Sequence, residues 1–156
     1  AMEWTLDQDR LYENPLMTTD GQARIRSLCH QHQLVIPSLT GDCFMQAPFW
    51  KMEGDRKSTL KSDFLAICHA CARLGIRMVV VPLVDNGCLE NAAQEDDLVE
   101  FLLSHHDFLT GQNIQIIFES DFSPDEMRRF IDRFPDQGFG INYDIGNSAQ
   151  RRRRDA

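Results

Sequence analysis

Short apolar blocks alternate along this chain with longer stretches in which apolar residues recur every three or four positions. Met2 to Leu6, Leu34 to Pro37, Met78 to Leu83, Ile114 to Phe118 and Phe139 to Tyr143 read as strands. The run Met78 to Leu83 is almost wholly apolar, as a strand covered on both faces in a parallel sheet requires. Between the blocks, Ile25, Leu28 and Cys29 mark one helix, and Leu60, Phe64, Ile67, Cys68, Cys71 and Leu74 mark a second, closed by Gly75. A third helix is expected over about Glu95 to Phe108, with Leu98, Phe101 and Leu102 inward. Ser123, Pro124 and Glu126 supply an N-cap, a first-turn proline and a capping-box acid for a fourth, whose inward face is Met127, Phe130, Ile131 and Phe134. A long loop, Ser38 to Lys57, follows the second strand.

Strand and helix thus alternate through five strands and four helices, the signature of a parallel α/β sheet with right-handed crossovers. Two architectures fit: an open, flavodoxin-like doubly wound sheet, or an arc of a closed (β/α) barrel. Length favours the open sheet, because an eight-unit barrel usually takes about 250 residues and this chain has 156.

Composition narrows the partners. One sizeable core is expected from 156 residues of which 42% are hydrophobic. The net charge is -8, and four of the basic residues are grouped at Arg151 to Arg154, leaving the body more acidic still, so a nucleic-acid surface is not expected. Residues 151–156 read as a basic tail beyond a domain at 1–150. No apolar run is long enough for a membrane helix and no signal peptide is evident, so a cytoplasmic protein without a membrane partner is the expectation.

The odd number of cysteines, five, agrees with reduced thiols. Cys68 and Cys71 form a C-x-x-C around His69, which raises a metal or redox reading. Their spacing places both on the buried stripe of a helix, and no second ligand pair follows, so core packing is the better account. His30, His32, His105 and His106 read as helix-surface residues.

In either architecture ligands bind at the carboxyl ends of the strands. Glu119 closes one strand and Asp144 the next, 25 positions later, which is one βα repeat. Two carboxylates could therefore share a mouth, or each could cap a local turn; position alone leaves both open.

The stretches Ile116-Ile-Phe-Glu119-Ser and Ile141-Asn-Tyr-Asp144-Ile-Gly-Asn147 resemble the fifth and sixth strand units of the xylose-isomerase-like superfamily, in particular its sugar-phosphate isomerase and epimerase branch. Glu3-Trp4, Ile36-Pro-Ser-Leu-Thr40-Gly-Asp42 and Gly75-Ile-Arg-Met-Val-Val-Val-Pro82-Leu are similar to its second, third and fourth strands. The resemblance favours the barrel arc and implies that the chain holds roughly the second to sixth units. It also implies a single divalent ion, Mn²⁺ or Mg²⁺ with Co²⁺ or Zn²⁺ as alternatives, held by Glu119 and Asp144 together with a histidine and a glutamate from units beyond these residues. Glu119 would in addition move the proton next to the sugar carbonyl. From their places near strand ends, Trp4, Thr40 and Asp85, with Asp42 and Asn86 nearby, could border the pocket for a sugar or sugar phosphate, or Trp4 could instead pack under neighbouring loops. Many relatives read Asp-x-Gly-His where this chain has Asp144-Ile-Gly-Asn147, and that change weakens a metal-dependent endonuclease reading. A non-catalytic α/β binding module is a third class; no G-x-G-x-x-G or P-loop supports it. Self-association through open sheet edges is expected of such an arc.

Overall fold

The computed structural model describes residues 1–143; Asp144, Asn147 and the arginine run lie outside the described residues. Five strands form one parallel sheet in the order β1 (Glu3–Thr5), β2 (Ser38–Thr40), β3 (Met78–Leu83), β4 (Gln115–Ser120) and β5 (Phe139–Asn142). Spatial order equals sequence order, so each crossover moves one strand the same way along the sheet. A doubly wound sheet reverses direction at a switch point; this one does not, and it is an unclosed arc of a barrel.

The crossovers carry α1 (Thr19–His32), α2 (Asp42–Gln46) with α3 (Gly54–Leu74), α4 (Ala92–Ser104) with α5 (His106–Gly111), and α6 (Pro124–Ile131). Each helix has a local cause. Thr18 and Asn91 side chains accept from the amides of Gly21 and Gln94 at the starts of α1 and α4. Ser123 and Glu126 form a complete capping box on α6 with Pro124 at its first turn. Gly75 ends α3 at φ 74°, a left-handed position that glycine takes without a Cβ penalty.

Because side chains alternate across a strand, the register divides the sheet into two faces. Leu39, Val79, Val81, Leu83, Ile116 and Phe118 are fully buried against the helices. Phe118 there meets Phe130, Phe134 and Phe139 at centroid distances of 4.9, 5.1 and 6.3 Å. Cys68 and Cys71 join this core from α3. Burial pushes the Cys71 thiol up to about 12 and the Cys68 thiol well above the ordinary cysteine value, so the pair packs as small apolar groups. The opposite, inner face carries Glu3 and Thr5, Ser38 and Thr40, Met78, Val80 and Pro82, Ile117 and Glu119, Gly140 and Asn142.

The structure differs from the sequence expectation in three places. The apolar run Leu34 to Pro37 is mostly an exposed connection, with Val35 65% accessible, and β2 begins only at Ser38. The long loop expected over 38–57 contains β2, α2 and the first turn of α3. The single helix expected from Glu95 to Phe108 is two, parted at His105, whose φ of -112° leaves the helical range while its Nδ1 lies 2.8 Å from the Phe101 carbonyl.

Candidate functional site

The carboxyl ends of the strands are knitted together by backbone bonds. Leu6 N donates to Thr40 O, Gly41 N to Val80 O and Cys43 N to Leu6 O, at 3.2, 3.0 and 2.8 Å. Gly41 allows this closeness: a Cβ there would lie 2.9 Å from the Val80 carbonyl oxygen and 2.3 Å from the Phe44 ring. The strand end therefore turns at once into α2 and delivers Asp42 to the rim.

Glu119 lies half-buried on the inner face at the end of β4. In the register its Cα partners are Pro82 on β3 and Asn142 on β5, and Asn142 Nδ2 donates to Glu119 Oε2 at 2.9 Å. On the other side of the arc, Ser38 Oγ donates to Glu3 Oε1 at 2.9 Å, and Gln46 Nε2 donates to Asp7 Oδ1 at 2.6 Å. Burial holds the Asp42 carboxyl above the usual carboxylate range, and the negative charges of Asp7, Glu119 and Glu3 push it the same way. One electrostatic neighbourhood thus extends from β1 to β4 around the strand ends.

Of the expected site residues, Thr40 and Glu119 share the inner face. Asp85 lies exposed just past the end of β3, in left-handed backbone at φ 47°. Its neighbour Asn86 donates from Nδ2 to Met45 O and Gln46 O at 3.0 and 3.2 Å, fastening this loop to α2. Trp4 is paired with Leu39 in the register, so it stands on the helix-facing side; it packs against the core and donates from Nε1 to Asn14 Oδ1 at 3.3 Å. That is the packing role a tryptophan takes when its N–H finds a partner. Asp144 is outside the described residues.

Sequence reading missed Glu3, Asp7 and Asn142. The signal for Glu3 and Asn142 was parity: each is polar at the inward position of a short strand, and parity is readable only once register is known. A separate cleft of about 460 Å³ lies between the start of α4 and the length of α6, lined among others by Phe122, Glu95, Arg129 and Arg133. Both arginines there are engaged by Glu95, so we place the site at the strand ends.

The donor chemistry of this mouth, carboxylate oxygen, is of the kind a hard divalent ion takes. Glu119 is the donor on the inner face that matches the expected ligand. Among the described residues no group of three or more His, Cys, Asp or Glu side chains is arranged to hold a metal ion.

A parallel arc with each crossover moving the same way, and carboxylates near its strand ends, defines the class: a set of (β/α) barrel units. The chain belongs to the family described as xylose isomerase-like TIM barrel, whose profile matches residues 1–156. No curated protein matches it in sequence. Among solved structures it is similar to a xylose isomerase domain protein from Planctomyces limnophilus (13% identity, TM-score 0.66, covering 83% of this chain and 50% of that one). A xylose isomerase-like TIM barrel protein from Mycobacterium smegmatis in complex with magnesium gives 15%, 0.64, 86% and 49% in the same order. D-psicose 3-epimerase in the presence of D-fructose gives 13%, 0.67, 89% and 52%. The chain thus spans about half the length of these relatives, and at such identities the likeness is one of fold. Among the described residues no helix is long and apolar enough to cross a membrane.

Proposed function

We propose that this chain forms the second to sixth units, over residues 1–150, of a divalent-metal-dependent isomerase or epimerase acting on a sugar or sugar phosphate. The observation that carries the reading is Glu119 on the inner face at a strand end, held by Asn142 of the neighbouring strand. Its setting is a family in which one structural neighbour is a sugar epimerase and another was crystallised with magnesium.

When bound, Mn²⁺, Mg²⁺ or a related ion would stabilise the negative charge that develops on a ketose carbonyl oxygen as the adjacent carbon loses its proton. Glu119 and Asp144 would hold it. Glu119 would also take the proton from that carbon and return it, the work of a carboxylate general base. Thr40 and Asp85 lie at the ends of β2 and β3, within the same rim, and would contact sugar hydroxyls. Trp4 would support the β1 end of the pocket from behind through Asn14. The acidic rim disfavours a nucleic-acid polyanion and thereby the endonuclease alternative.

In the barrel completed by its remaining units, Glu119→Gln is expected to lower metal-dependent exchange of the ketose proton into deuterated water by about 10²–10⁴-fold. Exchange unchanged in the glutamine variant would remove Glu119 from the mechanism.

A further inference from the structure

We propose that Cys88 is a peroxide-reactive thiol and that Lys51 captures its oxidised sulfur, covalently joining the connection between β2 and α3 to the one between β3 and α4. This chemistry is independent of the sugar reaction proposed above and of any bound metal.

The five thiols divide by access. Cys43, Cys68 and Cys71 are buried, and burial pushes all three well above the ordinary cysteine value. A thiolate is the form that attacks a peroxide, so these three are inert in the folded chain. Cys29 and Cys88 are half-buried and within reach of a small oxidant. Of the two, Cys88 has a nitrogen nucleophile beside it, with Lys51 Nζ 3.6 Å from its sulfur. Among the described residues Cys29 has no such contact.

Both partners are held in place. Lys51 follows Phe49 and Trp50, which are 2% and 4% exposed, and the Phe49 ring packs against Phe101 at a centroid distance of 4.7 Å. Glu90 anchors the Lys51 ammonium at 2.7 Å, and only 13% of the lysine side chain is accessible. Directly before Cys88, Gly87 is seated so closely that a Cβ would lie 2.4 Å from the Pro82 carbonyl oxygen and 3.1 Å from Met45 Cα. Nitrogen and sulfur, 37 positions apart in sequence, therefore meet as a fixed intramolecular pair.

The oxidant is a peroxide. The Cys88 thiolate attacks one peroxide oxygen; the S–O bond forms and the O–O bond breaks. Sulfur loses two electrons, the peroxide gains them, and a sulfenic acid and water result. Lys51 then yields a proton to solvent, and its free amine attacks that sulfur. The S–N bond forms, the S–O bond breaks, and hydroxide departs as water with a proton from the nitrogen. In sum, one thiol, one amine and one peroxide give a sulfenamide and two waters, the condensation open to a sulfenic acid beside a nitrogen. The link would replace the Lys51–Glu90 ion pair and clamp the connection that carries Asp85 and Asn86.

The test treats this chain with hydrogen peroxide at mildly alkaline pH, where more of the amine is free. Remaining thiols are alkylated, and the monomer fraction is digested with trypsin without reductant and mapped by mass spectrometry. The expected product is a pair of peptides joined through Cys88 and Lys51, two hydrogens lighter than the sum of its parts. Cleavage after Lys51 is lost in it and returns on treatment with dithiothreitol. Its yield should exceed by about tenfold or more the yield in urea, where the fold no longer holds the pair together. In Lys51→Arg, dimedone should trap Cys88 as the sulfenic acid and no link should form; the urea comparison uses the parent chain and stands should that variant not fold. Oxidised Cys88 with cleavage after Lys51 still complete overturns the capture. Cys88 oxidised no faster than buried Cys68, or a link of equal yield in urea, overturns the whole inference.

Discussion

Two acidic side chains show how environment, more than residue type, assigns roles in this molecule. Glu119 is half-buried on the inner face with an amide partner and other carboxylates nearby, whereas Glu95 is 7% accessible and bound by two arginines. The first setting places a carboxylate among other acids at the strand ends; the second pairs it with cations. Cysteine shows the same division. Cys68 is fully buried among apolar neighbours, with its thiol held neutral by desolvation, so its substitution should act through packing alone. Cys68→Ala is expected to lower unfolding free energy by about 1 kcal/mol, the value of one small buried group. It should leave the metal-dependent exchange proposed for the completed barrel unchanged. Chemical denaturation of this chain and an exchange assay of the completed barrel check both halves; exchange lost at full stability would return the C-x-x-C to the site.

At the scale of elements, α4 and α6 are joined by charge. Arg129 donates through both terminal nitrogens to Glu95 at 2.7 Å each, Arg133 donates to the same carboxylate at 2.6 Å, and Arg133 also reaches Asp96 at 2.7 Å. The Arg129 hydrogen bonds, with Arg133 adding to them and burial opposing, hold the Glu95 carboxyl below the usual range. A carboxyl depressed in the folded state adds stability above the ordinary glutamate value of about 4.3. That contribution is lost as pH falls through the lower folded value. Glu95→Gln should therefore be less stable than the parent by about 1–3 kcal/mol at neutral pH, and the gap should close below about pH 4. A gap that stays constant in melting curves from pH 7 down to pH 3 would show that the loss is one of shape and not of charge. None of this network was legible in the sequence, because its partners lie 34 and 38 residues apart along the chain. What was legible followed from local causes: the capping box at Ser123, the glycine stop at Gly75 and the apolar run of β3 all act within a few residues. The run at Leu34 and Val35 misled for the complementary reason. Apolar content suggested a strand, but Pro37 lacks the N–H a ladder uses, and pairing starts one residue later.

Among the described residues, five strands in sequence order leave β1 and β5 as the outermost, each paired to a strand on one side within the sheet. Of the expected site, the strand-end position of Glu119 could be read from one apolar run ending in an acid. Its amide partner, and the facing of Trp4 away from the mouth, required the register of three neighbouring strands. Beyond the rim, the inner face of the arc carries apolar groups such as Met78 and Ile117 that are only partly covered, and Ile141 on the outer side of β5 is 44% accessible. In relatives about twice as long, further chain is present beyond the half that aligns with these units. Outermost strands and apolar surface of this kind favour association with another chain. We expect these 156 residues in isolation to self-associate in a concentration-dependent way in sedimentation experiments. We also expect no metal-dependent proton exchange on a ketose above background from these residues alone, since they correspond to about half the length of the relatives they resemble. The two measurements separate the possibilities. Association without exchange agrees with an arc that needs further barrel units. A monomer at high concentration, with robust metal-dependent exchange that Glu119→Gln removes, would instead place the complete catalytic set within these residues.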